Sequence, residues 1–134
     1  MDRLTKFSIL VVSLNSGDKL LKTIKSILSQ NYTDYEVVVK DGGSKDDSLT
    51  SLEAYLQTCP AYADKVRIIS RKDSGIYEGM NQATKEARGK YYYFLNCGDL
   101  FVDGEVLAEI ASSMEAARKQ GSSAKIFYGD IYDN

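Results

Sequence analysis

The stretch that decides the fold is Tyr91-Tyr92-Tyr93-Phe94-Leu95-Asn96-Cys97-Gly98-Asp99. Its first five residues are large and apolar or aromatic, and they lack the polar alternation of a half-exposed strand, which predicts a strand buried on both faces. The run stops at a short polar turn that contains glycine and ends in a carboxylate. In an open α/β sheet, ligands bind beyond the carboxyl ends of the strands. We therefore expect Asp99 to lie where a metal ion or a phosphate-bearing ligand would bind.

Four further apolar runs alternate with helical patterns along the chain. The runs lie at residues 7–14, 35–40, 66–70 and 125–128. Apolar residues spaced three and four apart, which are typical of amphipathic helices, cover residues 20–28, 46–58, 76–87 and 106–117. We expect Gly89 to end the third helix, because glycine accepts the left-handed conformation common at that position. The pattern predicts one α/β domain over residues 1–134, with a Rossmann-like, mostly parallel sheet and helices on both faces.

Composition excludes several classes of function. The 134 residues include no histidine, which rules out a Ser-His-Asp triad, a Cys-His dyad and a histidine-based metal site. We expect any metal to be held by oxygen atoms, which favours magnesium or manganese. The net charge of −2 lacks the basic excess of a nucleic-acid binder. Two distant cysteines, Cys59 and Cys97, and the lack of a long apolar run predict a soluble cytoplasmic protein.

The loops that follow four of the predicted strands share one chemistry, a small polar or acidic residue close to glycine. Because the carboxyl ends of parallel strands meet at one edge, these loops predict a single crevice, lined by Asn15, Asp41, Asp73, Asn96 and Asp99. Structural roles explain the same residues singly, since Asp73 would cap the helix that follows it and Asp41 would belong to an ordinary turn. The convergence of four such loops favours a functional site.

The ligand of such a crevice is constrained by two missing motifs. The first strand is followed neither by Gly-x-Gly-x-x-Gly, the dinucleotide fingerprint, nor by a phosphate loop ending in Gly-Lys-Ser/Thr. A diphosphate could still be bound through a divalent cation at Asp99, which would offset the phosphate charge. Asp41, at the end of the second strand, could accept hydrogen bonds from a base or a ribose. The combination predicts a nucleotide-diphosphate ligand.

From residue 8 to about residue 130, the chain resembles the family 2 glycosyltransferases, which have the GT-A fold. The matching segments, in order, are Ile9–Asn15, Ser26–Tyr32, Tyr35–Ser44, Asp73–Asn81, Ala87–Gly89 and Phe94–Asp99. Each segment is a weak motif by itself, but their order and spacing are specific. The resemblance implies a domain that binds a nucleotide-diphospho-sugar.

The resemblance also implies two sets of site residues. Those that would hold the base, ribose, phosphates or sugar are Ser13, Leu14, Asn15, Asp41, Asp73 and Asn81. The turn at Asn96 to Asp99 matches the family's Asp-x-Asp metal motif, which makes Asp99 the metal ligand and Asn96 a possible second one. Here Asn96 and Gly98 replace two carboxylates, a variant known among enzymes that build bacterial surface polysaccharides. The cofactor implied is Mn²⁺ or Mg²⁺.

The function implied is the transfer of a sugar, with inversion, from a nucleotide-diphospho-sugar to a glycan or lipid-linked acceptor. UDP-sugars are favoured as donors by their frequency in the family. Family members run well past 200 residues, so we expect this chain to be truncated at the C-terminus, with the acceptor half and the catalytic general base beyond Asn134. A homodimer, and a peripheral association with the inner face of the membrane, stay open as further partners.

Two other functions fit an α/β chain of this length. A receiver-like signalling module would need a carboxylate pair after the first strand and a lysine after the fifth, whereas this chain has Asn15-Ser16 after the first. A nucleotidyltransferase would carry a glycine-rich loop with Arg or Lys after the first strand, which residues 13–17 do not resemble. Both alternatives rank below the transferase.

Overall fold

The computed structural model describes residues 5–119 and 126–128. The strands are β1 (Phe7–Ser13), β2 (Tyr35–Asp41), β3 (Val66–Ser70), β4 (Tyr91–Phe94) and β5 (Ile126–Tyr128). The helices are α1 (Lys19–Leu28), α2 (Ser48–Gln57), α3 (Pro60–Ala63), α4 (Ile76–Glu86) and α5 (Val106–Lys119). All five strands are parallel, in the order β3-β2-β1-β4-β5. The predicted α/β fold is confirmed, and its strand order reverses direction between β1 and β4, where such sheets bind ligands.

The two faces of the sheet have different interiors. Alternate residues of β1 and β2 build a large apolar core under helices α1, α2 and α5, which includes Phe7, Ile9, Val11, Val37, Val39, Ile24, Leu52 and Leu107. The other face is covered by α4 and has a small apolar centre, made by Leu10, Val38 and Ala83. Charged and hydroxyl side chains lie on either side of this small centre, and they position α4 on the sheet.

The network at the amino-terminal end of the sheet is centred on Glu36. This carboxylate is buried and accepts hydrogen bonds from the Ser8 hydroxyl at 2.6 Å, the Arg88 backbone N–H at 2.6 Å and the Arg67 guanidinium at 2.8 Å. Burial alone would raise the pKa of Glu36, but these donors hold it below its ordinary value. Because Arg88 follows α4, the network fixes the carboxyl end of that helix.

Gly89 does not end α4, so that prediction is wrong. The helix ends at Glu86, and Ala87 is already extended. Gly89 instead donates its N–H to the Ser8 hydroxyl at 2.8 Å, and a Cβ at this position would lie 2.7 Å from the Ser8 backbone nitrogen. Glycine is required here because the chain passes directly against β1.

Smaller differences from the expected elements concern β4, α3 and the end of β1. Tyr93 is fully buried, but Tyr91, Tyr92 and Phe94 are only half-buried, so the prediction of a strand buried on both faces is wrong. The short helix α3 was not predicted, and β1 ends before Leu14, whose side chain is 57% exposed. Lys125, the expected start of the last strand, lies outside the described residues. Within the described part of the chain, no helix has the length and apolarity needed to cross a bilayer.

Candidate functional site

The turns after β1 and β2 are joined directly, as the convergence of strand ends requires. The Ser13 carbonyl accepts a hydrogen bond from the Gly42 N–H at 2.9 Å. Asn15, with a left-handed φ of 49°, donates its N–H to the Ser44 hydroxyl at 2.8 Å and accepts the Lys45 N–H at 2.7 Å on its side-chain oxygen. The backbone of the first turn is therefore held in place by the second.

Asp41 lies at the end of β2, and its carboxylate accepts hydrogen bonds from the loop that follows it and from β3. It is fully buried and accepts the N–H groups of Gly43 at 2.9 Å and Ser44 at 2.7 Å, the Ser44 hydroxyl, and the Ser70 hydroxyl at 3.3 Å. These donors compensate for the removal of the charge from water. The contact of Asp41 with a base or ribose stays a prediction, and the structure gives Asp41 the role of shaping the loop.

Asp73 forms a buried ion pair with Lys40. The ammonium of Lys40 is fully buried and lies 2.9 Å from one Asp73 oxygen, while it also donates to the backbone carbonyls of Asp41 and Arg71. The other Asp73 oxygen accepts the Gly75 N–H at 3.2 Å. The carboxylate thus organises the turn that precedes α4, but the N-cap of that helix is Gly75 and no side chain caps it, so the alternative expectation that Asp73 caps α4 is wrong.

Two glycines make room for this ion pair. A Cβ on Gly42 would lie 3.0 Å from an Asp73 oxygen, and a Cβ on Gly79 would lie 3.1 Å from the same oxygen and 2.9 Å from Val12. The first turn of α4 therefore approaches the sheet closely at its carboxyl edge. Asn81 lies further along α4, is exposed, and has no side-chain hydrogen bond among the described residues.

The turn after β4 packs against the turn after β1. The Asp99 N–H closes it by donating to the Asn96 carbonyl at 2.9 Å, and Gly98 adopts a φ of 103° that favours glycine. Cys97 is half-buried, and burial raises the pKa of its thiol against the opposing effect of the nearby hydroxyls of Ser16 and Ser13. The structure therefore brings Ser13 and the Asn96–Asp99 turn together at the point where the strand order reverses.

Asp99 differs from the other two carboxylates because its side chain has no hydrogen bond or ion pair with the described side chains, those of residues 5–115, or with the described backbone. Asn96 is exposed beside it. The described residues contain no group of three acidic, cysteine or histidine side chains able to hold a metal ion. Magnesium and manganese sites in phosphate-binding enzymes use one or two carboxylates together with substrate phosphates and water. The donor set of Asp99 and Asn96 fits that kind of shared site.

Sequence reasoning missed Lys40 and Thr23, two residues that build this edge. Lys40 follows the apolar run Val37–Val39 within β2, and a charge inside a strand buried on both faces is a signal of a buried ion pair. Thr23 interrupts the buried stripe of α1 in the same way, and its hydroxyl contacts the turn that carries Asp99.

Relatives of known sequence share most of this chain. A PGL/p-HBAD biosynthesis glycosyltransferase of Mycobacterium bovis is 29% identical over 93% of this chain and 46% of its own length. An uncharacterized glycosyltransferase of Mycobacterium tuberculosis, Rv1514c, is 36% identical over 80% of this chain and 39% of its own length. The chain thus spans less than half the length of these relatives.

Solved structures share the fold. TarS from S. aureus, residues 1–349, superposes with a TM-score of 0.72 and 25% identity over 84% of this chain and 33% of its own. The same protein has been solved with UDP-GlcNAc. The mannosyltransferase PcManGT from Pyrobaculum calidifontis, in complex with GDP-Man and Mn²⁺, superposes with a TM-score of 0.73 and 20% identity over 81% of this chain and 32% of its own.

The family model named glycosyl transferase family 2 matches residues 8–133, nearly the whole sequence. This match favours the transferase over the receiver-like and nucleotidyltransferase alternatives. The chain belongs to glycosyl transferase family 2, and its fold is that of the GT-A glycosyltransferases.

Proposed function

We propose that this chain binds the donor in a reaction that transfers a sugar, with inversion, from a nucleotide-diphospho-sugar to a glycan or lipid-linked acceptor. UDP is the favoured nucleotide. The observation that carries the proposal is the carboxylate of Asp99, which has no partner among the described residues and lies at the turn where the strand order reverses. A similar chain, TarS, has been solved with UDP-GlcNAc, which supports a UDP-sugar as the donor.

Each turn has a part in the proposed site. The backbone of Ser13, Leu14 and Asn15, together with the loop shaped by Asp41, would receive the base and ribose. Asp73 and Asn81 belong to the α4 side, toward the phosphates or the sugar.

Asp99, with Asn96 beside it, would hold Mn²⁺ or Mg²⁺. When bound, the cation supplies positive charge opposite the departing diphosphate. An acceptor hydroxyl would attack the anomeric carbon in line, and its proton would pass to a general base. We assign no general base among the described residues.

The proposal includes a cytoplasmic location and a role in surface polysaccharide synthesis. Both described cysteines, Cys59 and Cys97, are free thiols, which is consistent with a reducing compartment. A homodimer and a peripheral membrane contact stay open as further partners.

Isothermal titration of the full chain with UDP, with and without Mn²⁺, tests the donor site. We expect Mn²⁺ to tighten UDP binding, and Asp99→Ala to weaken binding in the presence of Mn²⁺ by about tenfold or more, because the protein's anionic metal ligand is lost. Asp103→Ala is the matched control, since Asp103 is an exposed carboxylate of the same loop. Equal Mn²⁺ dependence in wild type and Asp99→Ala would contradict the site assignment.

A further inference from the structure

Thr23 of α1 makes hydrogen bonds to two backbone groups of the Asn96–Asp99 turn, the Gly98 N–H and the Asp99 carbonyl. Its hydroxyl accepts a hydrogen bond from the Gly98 N–H at 2.8 Å and donates one to the Asp99 carbonyl at 3.0 Å. The side chain is fully buried, so water cannot replace either contact. One hydroxyl oxygen therefore fixes the Cys97–Gly98 and Asp99–Leu100 peptide units, which lie on either side of the Gly98–Asp99 peptide unit.

Ser26 of α1 and Gln30, which follows that helix, hold the rest of the loop that leads to α5. The Ser26 hydroxyl accepts the Phe101 N–H at 3.3 Å. The Gln30 amide donates to the Asp103 carbonyl at 2.6 Å and accepts the Leu107 N–H at 2.9 Å. Thr23 is distinct within this series because its two partners are the residue of the proposed metal ligand and the glycine before it.

The carboxylate of Asp99 depends on its backbone for its position. Its side chain has no partner among the described residues. The preceding Gly98 has a φ of 103°, and because glycine can adopt many other backbone conformations, it does not by itself fix the turn. We propose that Thr23 is the positioning residue of this site, which holds Asp99 in the orientation that binds the donor's metal ion. The inference rests on the proposed function and adds a residue that does not itself touch metal or nucleotide.

The test compares the ratio of UDP dissociation constants without and with Mn²⁺ in three variants of the full chain. Thr23→Val keeps the shape of the side chain and removes both hydrogen bonds, so we expect the ratio to fall by about tenfold. Thr23→Ser keeps the hydroxyl and should retain the wild-type ratio within about twofold. Ser26→Ala loses the neighbouring contact to Phe101 and should also retain it.

The UDP affinity measured in EDTA should be alike in all variants, which a general loss of structure would not allow. An unchanged ratio in Thr23→Val, or an equal fall in Ser26→Ala, would overturn the inference. A wild-type chain that binds UDP without any Mn²⁺ dependence would instead overturn the proposed metal site itself. Should Thr23→Val fail to fold, hydrogen exchange of the Gly98 amide in the wild type decides: slow exchange supports the contact, and exchange at an unprotected rate refutes it.

Discussion

Asp41 and Asp99 lie on either side of the β1 turn, and they have opposite surroundings. Asp41 precedes two glycines, so the N–H groups of the following residues fold back onto its carboxylate. Asp99 comes after its glycine, at the end of the turn, and its following backbone is held by Thr23 instead. The order of aspartate and glycine thus separates a carboxylate that builds a turn from one that the turn presents to a ligand.

Asp73 is, like Asp41, a carboxylate held by the chain itself, and the largest effect on stability should come from removing its partner, the Lys40 ammonium. Lys40→Met leaves a carboxylate that is 8% exposed without its charge partner. We expect a loss of about 3 to 5 kcal/mol in the free energy of unfolding, measured in urea, because an uncompensated buried charge is costly. The double variant Lys40→Met, Asp73→Asn should recover part of that loss. A single variant as stable as wild type would show that the pair has no structural role.

Asp41→Ala should have the next largest effect on stability. It deprives Gly43 and Ser44 of the acceptor for their N–H groups, and we expect a loss of about 2 to 3 kcal/mol in urea unfolding. Asp41→Asn keeps one carbonyl oxygen and should lose less. If Asp41→Ala instead unfolds like wild type but binds UDP weakly, the carboxylate contacts the nucleotide, and the comparison with Asp99 fails.

Glu36, at the opposite end of the sheet, is a third carboxylate held by the chain, and its contribution to stability can be measured through its pH dependence. Its folded pKa lies below its ordinary value of 4.5, so its contribution to stability is present above that value and is lost as the pH falls through the folded pKa. We expect Glu36→Gln to lose about 1 to 2 kcal/mol at pH 7 and to unfold less steeply with acid than wild type. Thermal melts from pH 7 to about pH 3 measure both effects. Parallel acid profiles for the two proteins would contradict the network.

Much of the fold follows from local patterns, and much of the site does not. The apolar runs and the three- and four-residue spacing predicted the strands and the long helices. They do so because the apolar residues of each strand or helix repeat with the period that places them on its buried face. The convergence of the turns followed from the parallel sheet. The prediction that Gly89 ends a helix was wrong, because glycine is required at this position by the contact with Ser8, which is 81 residues away in the sequence.

The same limit applies to the roles of the carboxylates. The ligand contacts of Asp41 and Asp73 stay predictions, but the hydrogen bonds of these carboxylates and the Lys40 ion pair depend on neighbours that only the folded chain brings together. Local sequence contains one relevant signal, the aspartate that precedes glycine, which is typical of a turn that binds its own backbone. Partners from other strands, such as Ser70 and Lys40, give no signal in the turn itself.

The smallest expected effect on stability is also the most informative one. Asp99→Asn removes a charge with no side-chain partner in the described structure, so the free energy of unfolding should change by less than about 0.5 kcal/mol. Urea unfolding beside Asp41→Asn provides the matched comparison, since both changes replace one carboxylate oxygen by an amide nitrogen. A loss of unfolding free energy as large as that of Asp41→Asn would mean that the Asp99 carboxylate also stabilises the fold. It would then contradict the assignment of Asp99 as a carboxylate available to a ligand. An unchanged stability together with a lost Mn²⁺ dependence of UDP binding would separate the two roles, because a single carboxylate would then matter to the ligand and not to the chain.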